Sequence, residues 1–430
     1  MLGKTNSSAV TGGTLTVTAP AGVTCTISKD GKTKTKTADG SGTVTFRGLK
    51  SGIWEVTISG GSETATATVE IVTDYAKEIG FFKVYGIYRD ITDPSPEWTR
   101  EEDAVGMTAT ASVGTVAGAS DFDSCYPWSG ITRETLDTGD VMVKIPRFWY
   151  RRYREGNVEH IKIADGPAEG FALHPAFTHS GVEQDRVYIG AYKTSDNNRS
   201  VSGASPQANQ TRATFRTNAS SKGTGWGLID ISTLCAIQML ILVEFANNNV
   251  QNVIGRGYCD NNSSVSKTGT CDSVTNLTGI PAGTSGKVDV VWRGIEGLWG
   301  NLWEWVDGVN CYSGTYYVCN DPANYADDTA TGYEQLSFTA AANWNGGYIT
   351  GMGLDTGNAP HMMLPDAVSG GSETTYLCDT CWTSSGWCVF LQGGSYFNGS
   401  GAGLFTTGAD YQSTAYGSNY GSRLLYIPQQ

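Results

Sequence analysis

Between residues 12 and 72 apolar side chains fall at every second position in short runs, a spacing that fits strands and not helices. Leu15, Val17 and Ala19 alternate with Thr16 and Thr18. Val23, Cys25 and Ile27 repeat the pattern, as do Val44 and Phe46, then Trp54, Val56 and Ile58, then Ala65, Ala67, Val69 and Ile71. Successive side chains of a strand point to opposite faces, so a period of two describes a ribbon wet on one side and buried on the other. Turn-forming residues break the runs at Pro20-Ala21-Gly22, Asp30-Gly31, Asp39-Gly40 and Gly60-Gly61. Several short strands at this spacing predict a β-sandwich over residues 1–74. It carries no histidine and no acidic cluster, which suits a spacer or docking module.

Residues 75–138 read as a connector packing on the next domain. "FFKVYGIYRD" is strand-like, whereas "DPSPEW" and "TASVGTVAGAS" are loop material. Residues 139–430 read as one large domain, with "VMVKIPRFWYRRY" as a strand pattern near its start. Its most apolar stretch, Leu234–Phe245, is too short to span a membrane and contains Glu244. It predicts a buried helix capped by Asp230, Ser232 or Thr233. The 55 glycines, 11% aromatic and 17% charged residues indicate a β- and loop-rich chain rather than a disordered one.

A net charge of −13 would repel a polyanion, so no nucleic-acid partner is expected. Arg147, Arg151, Arg152 and Arg154 are a local exception, read as a solvated strand or turn. Met1–Val10 lacks the apolar core of a signal peptide, and no apolar run predicts membrane insertion. The ten cysteines are therefore expected as free thiols. Cys259/Cys271, Cys311/Cys319 and Cys378/Cys388 are candidate pairs should oxidation occur. Cys378 and Cys381 form one CxxC, followed by Cys388, and His361 is the only histidine available to complete a zinc site. His160, His174 and His179 lack metal-ligand spacing, His174 reading as part of a packed turn. Ser202 and Ser395 lack a nucleophile elbow, and Glu101/Glu102 and Asp327/Asp328 read as solvated pairs. No catalytic residue is assigned.

Two segments carry more information. Trp292, Trp299, Trp303 and Trp305, interleaved with Gly294, Gly297 and Gly300, predict a core ridge in which glycine lets backbone pass close to large rings. Asn301, Glu304 and Asp307 offer oxygen atoms that would suit a structural Ca²⁺. From Tyr396 to Tyr420 the chain has no Lys, Arg, Glu, Met, Trp or Cys, and is built from Tyr, Phe, Asn, Ser, Gly, Ala, Leu, Thr and Asp with one Gln412. Tyrosine gives broad amphipathic contact at low entropic cost, and Ser, Gly and Asn give adaptable hydrogen bonds, as in binding loops.

"LWGNLWEWVDG", "LQGGSYF" and "GSNYGSRLLY" together resemble the C-type-lectin-like fold shared by formylglycine-generating enzymes and the variable proteins of diversity-generating retroelements. "MVKIPRFWY" sits where that family's opening strand sits, with Arg147 and Phe148 in place of two glycines. The "GTLTVTAPAGVTCTISKDGK" and "FRGLKSGIWEVTISG" stretches resemble immunoglobulin-like modules of phage tail proteins. "GFALHPAF", "SVSG" and "RGIEGLWGNLWEWVDG" are similar to tail-associated proteins of phages infecting Gram-positive gut bacteria.

The resemblance implies an immunoglobulin-like β-sandwich followed by an irregular, loop-rich α+β domain with a variable region at about residues 393–423. It implies a phage tail receptor-binding protein, made in the bacterial cytoplasm, that binds a host-surface protein or glycan and docks on other tail proteins. A homo-oligomer such as a trimer, and no required cofactor, are expected. Trp299, Trp303, Trp305, Gly393, Gly394 and Arg423 would form the scaffold. Tyr396, Asn398, Ser400, Leu404, Thr406, Asp410, Tyr411, Ser413, Tyr416, Ser418 and Asn419 would form the ligand surface. In such proteins adenine-directed mutagenesis of AAC-type codons cannot produce Lys, Glu, Gln, Met or Trp, and residues 396–420 obey that limit except at Gln412. The family's oxidases need cysteines shortly after the GGS element, and none follows Cys388 here. A metal-dependent oxidoreductase and a purely structural baseplate protein remain the alternatives.

Overall fold

The computed structural model describes residues 12–428 apart from 20, 41, 61–62, 73–75, 81, 261 and 341–345. The turns expected at Pro20 and Gly61 and the strand end at Asp74-Tyr75 fall at least partly outside the described residues. The chain divides into two compact units, residues 1–83 with 166–169, and residues 84–165 with 170–430.

In the first unit the alternation becomes two sheets. Gly13–Thr18 lies between Thr43–Leu49 and Ala76–Gly80, while Thr24–Lys29 and Gly52–Gly60 form the middle of a second sheet edged by Lys32–Thr37 and Glu63–Ile71. Every second residue enters one core. Leu15, Val17 and Phe46 come from the first sheet, and Cys25, Ile27, Trp54, Val56 and Val69 from the second. The Trp54 indole N–H donates to the Lys50 carbonyl at 2.8 Å, so a buried polar atom is satisfied.

The second unit is predominantly β, and this corrects the α+β class implied by the resemblance. Its α-helices among the described residues are Arg212–Ser220, Ile231–Phe245 and the single turn Val250–Val253. The physical reason lies in the chain's own pattern. Only one stretch is long and continuously apolar enough for a buried helix, while the rest is short extended runs broken by glycine and asparagine in left-handed turns. All fifteen residues of Ile231–Phe245 are buried, and the Asp230 carboxylate accepts from the Thr233 N–H at 2.8 Å to cap it. Glu244, also buried, accepts from the Trp292 indole at 2.9 Å and from Arg293 at 2.6 Å. No helix among the described residues is long and apolar enough to cross a membrane.

The run "VMVKIPRFWYRRY" divides into two strands in different sheets. Val141–Pro146 pairs with Arg186–Gly190, and Trp149–Glu155 pairs with Val158–Ala164. Arg152 is 4% exposed, so the solvated reading of that basic cluster does not hold for it. The largest sheet runs Glu334–Thr339, Thr315–Val318, Trp303–Tyr312, Trp387–Gln392, Thr407–Tyr411, Thr380–Thr383, Gly347–Tyr348. It carries the tryptophan-rich element inside it, directly beside the strand that leads into residues 393–406, and the strand that leads out pairs with that one on its other side.

Candidate ligand-binding surface

Strand register explains why the scaffold motifs occur together. Glu304 lies opposite Gln392, and the short strand Tyr420–Gly421 runs parallel beside Trp303 and Glu304. Glu304 is fully buried and accepts hydrogen bonds from Arg423 Nη2 at 2.6 Å, Lys193 Nζ at 2.8 Å and Gln392 Nε2 at 2.9 Å. Burial alone would push its carboxyl up. The Arg423 and Lys193 charges outweigh that and hold it below the usual range. The remaining Arg423 donors reach the Gly190, Glu296 and Gly297 carbonyls at 2.8, 2.7 and 3.1 Å.

The tryptophans form the expected core ridge. Trp292, Trp299 and Trp305 are at most 1% exposed. Trp299 and Trp305 donate to the Gly255 and Gln210 carbonyls at 3.1 and 3.0 Å. Gly393 and Gly394 adopt φ of +89° and +76°, and a Cβ on Gly393 would lie 2.6 Å from the Leu298 carbonyl oxygen. Both the left-handed backbone and the close approach require glycine.

The oxygens considered for calcium go to separate partners. Glu304 serves Arg423 and Lys193, both Asp307 oxygens accept from Arg216, and Asn301 exchanges hydrogen bonds with the Ser266 backbone. They do not form an oxygen cage. Among the described residues no group of three or more His, Cys, Asp or Glu is placed to hold a metal ion.

On this frame the predicted surface residues divide. Tyr416 is 68% exposed and Tyr411 37%. Ser418 is exposed, while Tyr396, Asn398, Ser400, Asp410, Ser413 and Asn419 are half-buried. Leu404 and Thr406 have no exposed surface and are withdrawn from the ligand set. The Leu404 carbonyl accepts from Gln238 of the buried helix, and the Thr406 hydroxyl donates to the Gly401 carbonyl at 2.6 Å. These two hold the loop down from beneath.

The remaining residues form two stretches. In the first, the Tyr396 N–H donates to the Asn301 carbonyl at 2.9 Å, and the Asn398 side chain accepts from both Ser395 groups. In the second, the Tyr411 ring meets Tyr420 edge-on at 5.1 Å, Ser413 donates to Asp328, and the Gly417 carbonyl accepts from Asn209. Phe397, absent from the predicted set, is 47% exposed and sits edge-on to Tyr396 at 5.0 Å. A second omission is Tyr312, 45% exposed and 4.9 Å from its cross-strand neighbour Trp387, whose strand also pairs Val389 with Tyr411. Phe397 was readable from its place between Tyr396 and Asn398. Tyr312 was not, because only strand pairing brings it to the end where Tyr411 emerges.

All ten cysteines are free thiols, and nine are buried. Cys311 faces Cys388 across adjacent strands, a pairing different from the three expected from the sequence. Burial pushes the Cys388 thiol up to about 11 and that of Cys311 up to about 12, the opposite of a thiolate nucleophile. His174 and His361 are buried with rings 5.4 Å apart. His174 Nδ1 accepts from the Ala176 N–H and so fixes a turn.

No family model matches this chain, and no curated protein sequence matches it. Among solved structures it is similar to one described as Major Tropism Determinant U1 Variant, at 13% identity over 88% of this chain and 82% of that one, with a TM-score of 0.27. An overlap that low does not establish a shared fold.

Proposed function

We propose that this protein is a non-covalent ligand-binding display protein. In the finer form of the reading it is a phage tail receptor-binding protein whose C-terminal surface is diversified by a retroelement. One observation carries it. Within a single stretch of chain, Gly393, Gly394, Ser422 and Arg423 are buried, and Arg423 is tied to the Glu304 network, while Tyr411, Tyr416, Phe397 and Ser418 face solvent. Side chains on the outer set lie outside the Glu304–Arg423 network, with Tyr411 resting on the buried ring of Tyr420. Tyrosine and phenylalanine ringed by serine, threonine, asparagine and glycine supply apolar anchors with adaptable hydrogen bonding around them. Buried thiols with raised pKa values favour binding over the thiolate chemistry of the oxidoreductase alternative.

The test replaces Tyr411 and Tyr416 together with alanine and measures adsorption to the bacterial cells bound by the parent protein. Loss of two aromatic anchors is expected to weaken adsorption by at least about tenfold, since a hot-spot residue contributes about 2 kcal/mol or more. Unchanged adsorption by a folded variant removes this surface from recognition. Diversification is tested separately in the DNA beside the gene. A reverse-transcriptase gene and a near-identical template repeat, differing at adenines in the codons for residues such as 411, 413, 416 and 418, are expected. Without a template repeat the retroelement reading falls, while the binding reading stands or falls on adsorption.

A further inference from the structure

Three neighbouring strands of the second unit place charged side chains side by side. Arg89 of Val84–Asp90 lies opposite Glu159 of Val158–Ala164, and Glu159 lies opposite Arg154 of Trp149–Glu155, with Arg152 two positions along. They line a cavity of about 220 Å³ together with Trp98 and Asp366. Glu159 is already engaged. Arg152 reaches it at 2.6 and 2.7 Å, and Arg154 at 3.5 Å. Other Arg152 and Arg154 donors end on the Met362 and Met352 carbonyls at 2.6 and 2.5 Å.

Two donors are left over. Arg89 is 7% exposed, and its guanidinium lies over the Trp98 ring at 5.5 Å. Its Nη1 is sealed from solvent with no hydrogen-bond partner, and so is Arg154 Nε. Both belong to residues lining the same cavity. Three guanidinium groups against two carboxylates leave one positive charge in the lining. Burial also raises the Asp366 pKa, which works in the same direction. A buried cation with an unmet donor is destabilising unless something completes it. Most of the rest of the wall is apolar, including Ile91, Leu242 and Met363, with Asn248 and Thr350 as its polar members.

We infer that this cavity is a binding site for a short aliphatic monocarboxylate, its carboxylate lying against the Arg89 and Arg154 guanidinium groups and its alkyl tail against Ile91, Leu242 and Met363. One negative charge neutralises the lining, and a planar carboxylate matches the geometry of guanidinium donors. The site is built on sheet strands and is separate from the residues 396–419 discussed above, so it stands independently of the proposed function.

The experiment is isothermal titration of the full chain with sodium butyrate, with butyramide as the neutral isostere and sodium phosphate as the competing oxyanion, all at matched ionic strength in chloride. Saturable one-to-one binding of butyrate is expected, with butyramide and phosphate each at least tenfold weaker. Arg89→Met is expected to weaken butyrate at least tenfold, and to melt no lower than the parent in ligand-free buffer because it removes an unpaired buried charge. No saturable butyrate binding overturns the site. So does butyramide or phosphate binding as tightly, or butyrate binding unchanged in Arg89→Met. If that variant does not fold, the comparison of butyrate with butyramide on the parent chain decides alone.

Discussion

Asp410 stands where the strand Thr407–Tyr411 leaves the sheet. Its Oδ1 is sealed with no partner, and burial pushes its carboxyl up to about 6 from an ordinary 3.8. The nearby Cys388 thiol and Tyr420 hydroxyl both have pKa values raised by burial, so neither titrates in the acidic range. Because the folded state holds this proton more tightly than the unfolded chain, the contribution to stability is full below about pH 4 and is lost as pH rises through about 6. Asp410→Asn is therefore expected to be more stable than the parent above pH 6, with the gap closing toward pH 4. Urea denaturation across that range checks it, and parallel profiles for the two proteins would refute the assignment. A carboxylate kept at a cost to stability, at the rim of the proposed surface, fits a role in binding. At this scale residue types were legible and environments were not. Tyr416 and Leu404 share one stretch with the same vocabulary, yet one is largely in water and the other wholly buried, because neighbours distant in sequence decide burial. Arg152 looked solvated for the same reason, its partner Glu159 being set by strand pairing and the Met362 carbonyl by a loop distant in sequence.

At the scale of elements, four segments far apart in sequence meet at one carboxylate. Lys193 follows the strand Arg186–Gly190, Glu304 sits in Trp303–Tyr312, Gln392 ends Trp387–Gln392, and Arg423 precedes Leu424–Tyr426. Glu304→Gln keeps the shape but leaves two buried cations on one neutral acceptor. Breaking a buried ion pair from one side typically costs about 3–5 kcal/mol, whereas an exposed side chain such as Tyr416 changed to alanine is expected within about 0.5 kcal/mol of the parent. Chemical denaturation of the two variants separates scaffold from surface. A Glu304→Gln variant as stable as Tyr416→Ala would mean the network does not hold these strands. The strands of the first unit and the helix Ile231–Phe245 were legible, because alternation, continuous apolarity and an N-cap are local signals. The class of the second unit was not. An α+β expectation came with the motifs, but "WGNLWEW" and "GSR" mark a charge cluster between strands and do not fix how much helix surrounds it.

For the whole molecule the cysteines give the sharpest test, because they report on every part of the chain at once. One lies in the first unit and nine in the second, and only Cys125 is not buried. Thiols whose pKa is raised by burial are poor nucleophiles at neutral pH, and reagent reaches them only when the structure opens. In a native Ellman titration about one thiol, that of Cys125, is expected to react quickly, and all ten in denaturant. Because no bridge constrains the unfolded chain, adding reductant is expected to leave thermal unfolding unchanged. Rapid reaction of several thiols in the native protein would mean that the second unit opens readily, and the rigid frame proposed beneath Tyr411 and Tyr416 would then lose its footing. A drop in melting temperature on reduction would instead point to a bridge, and Cys311 with Cys388 is the pair that strand register would place together.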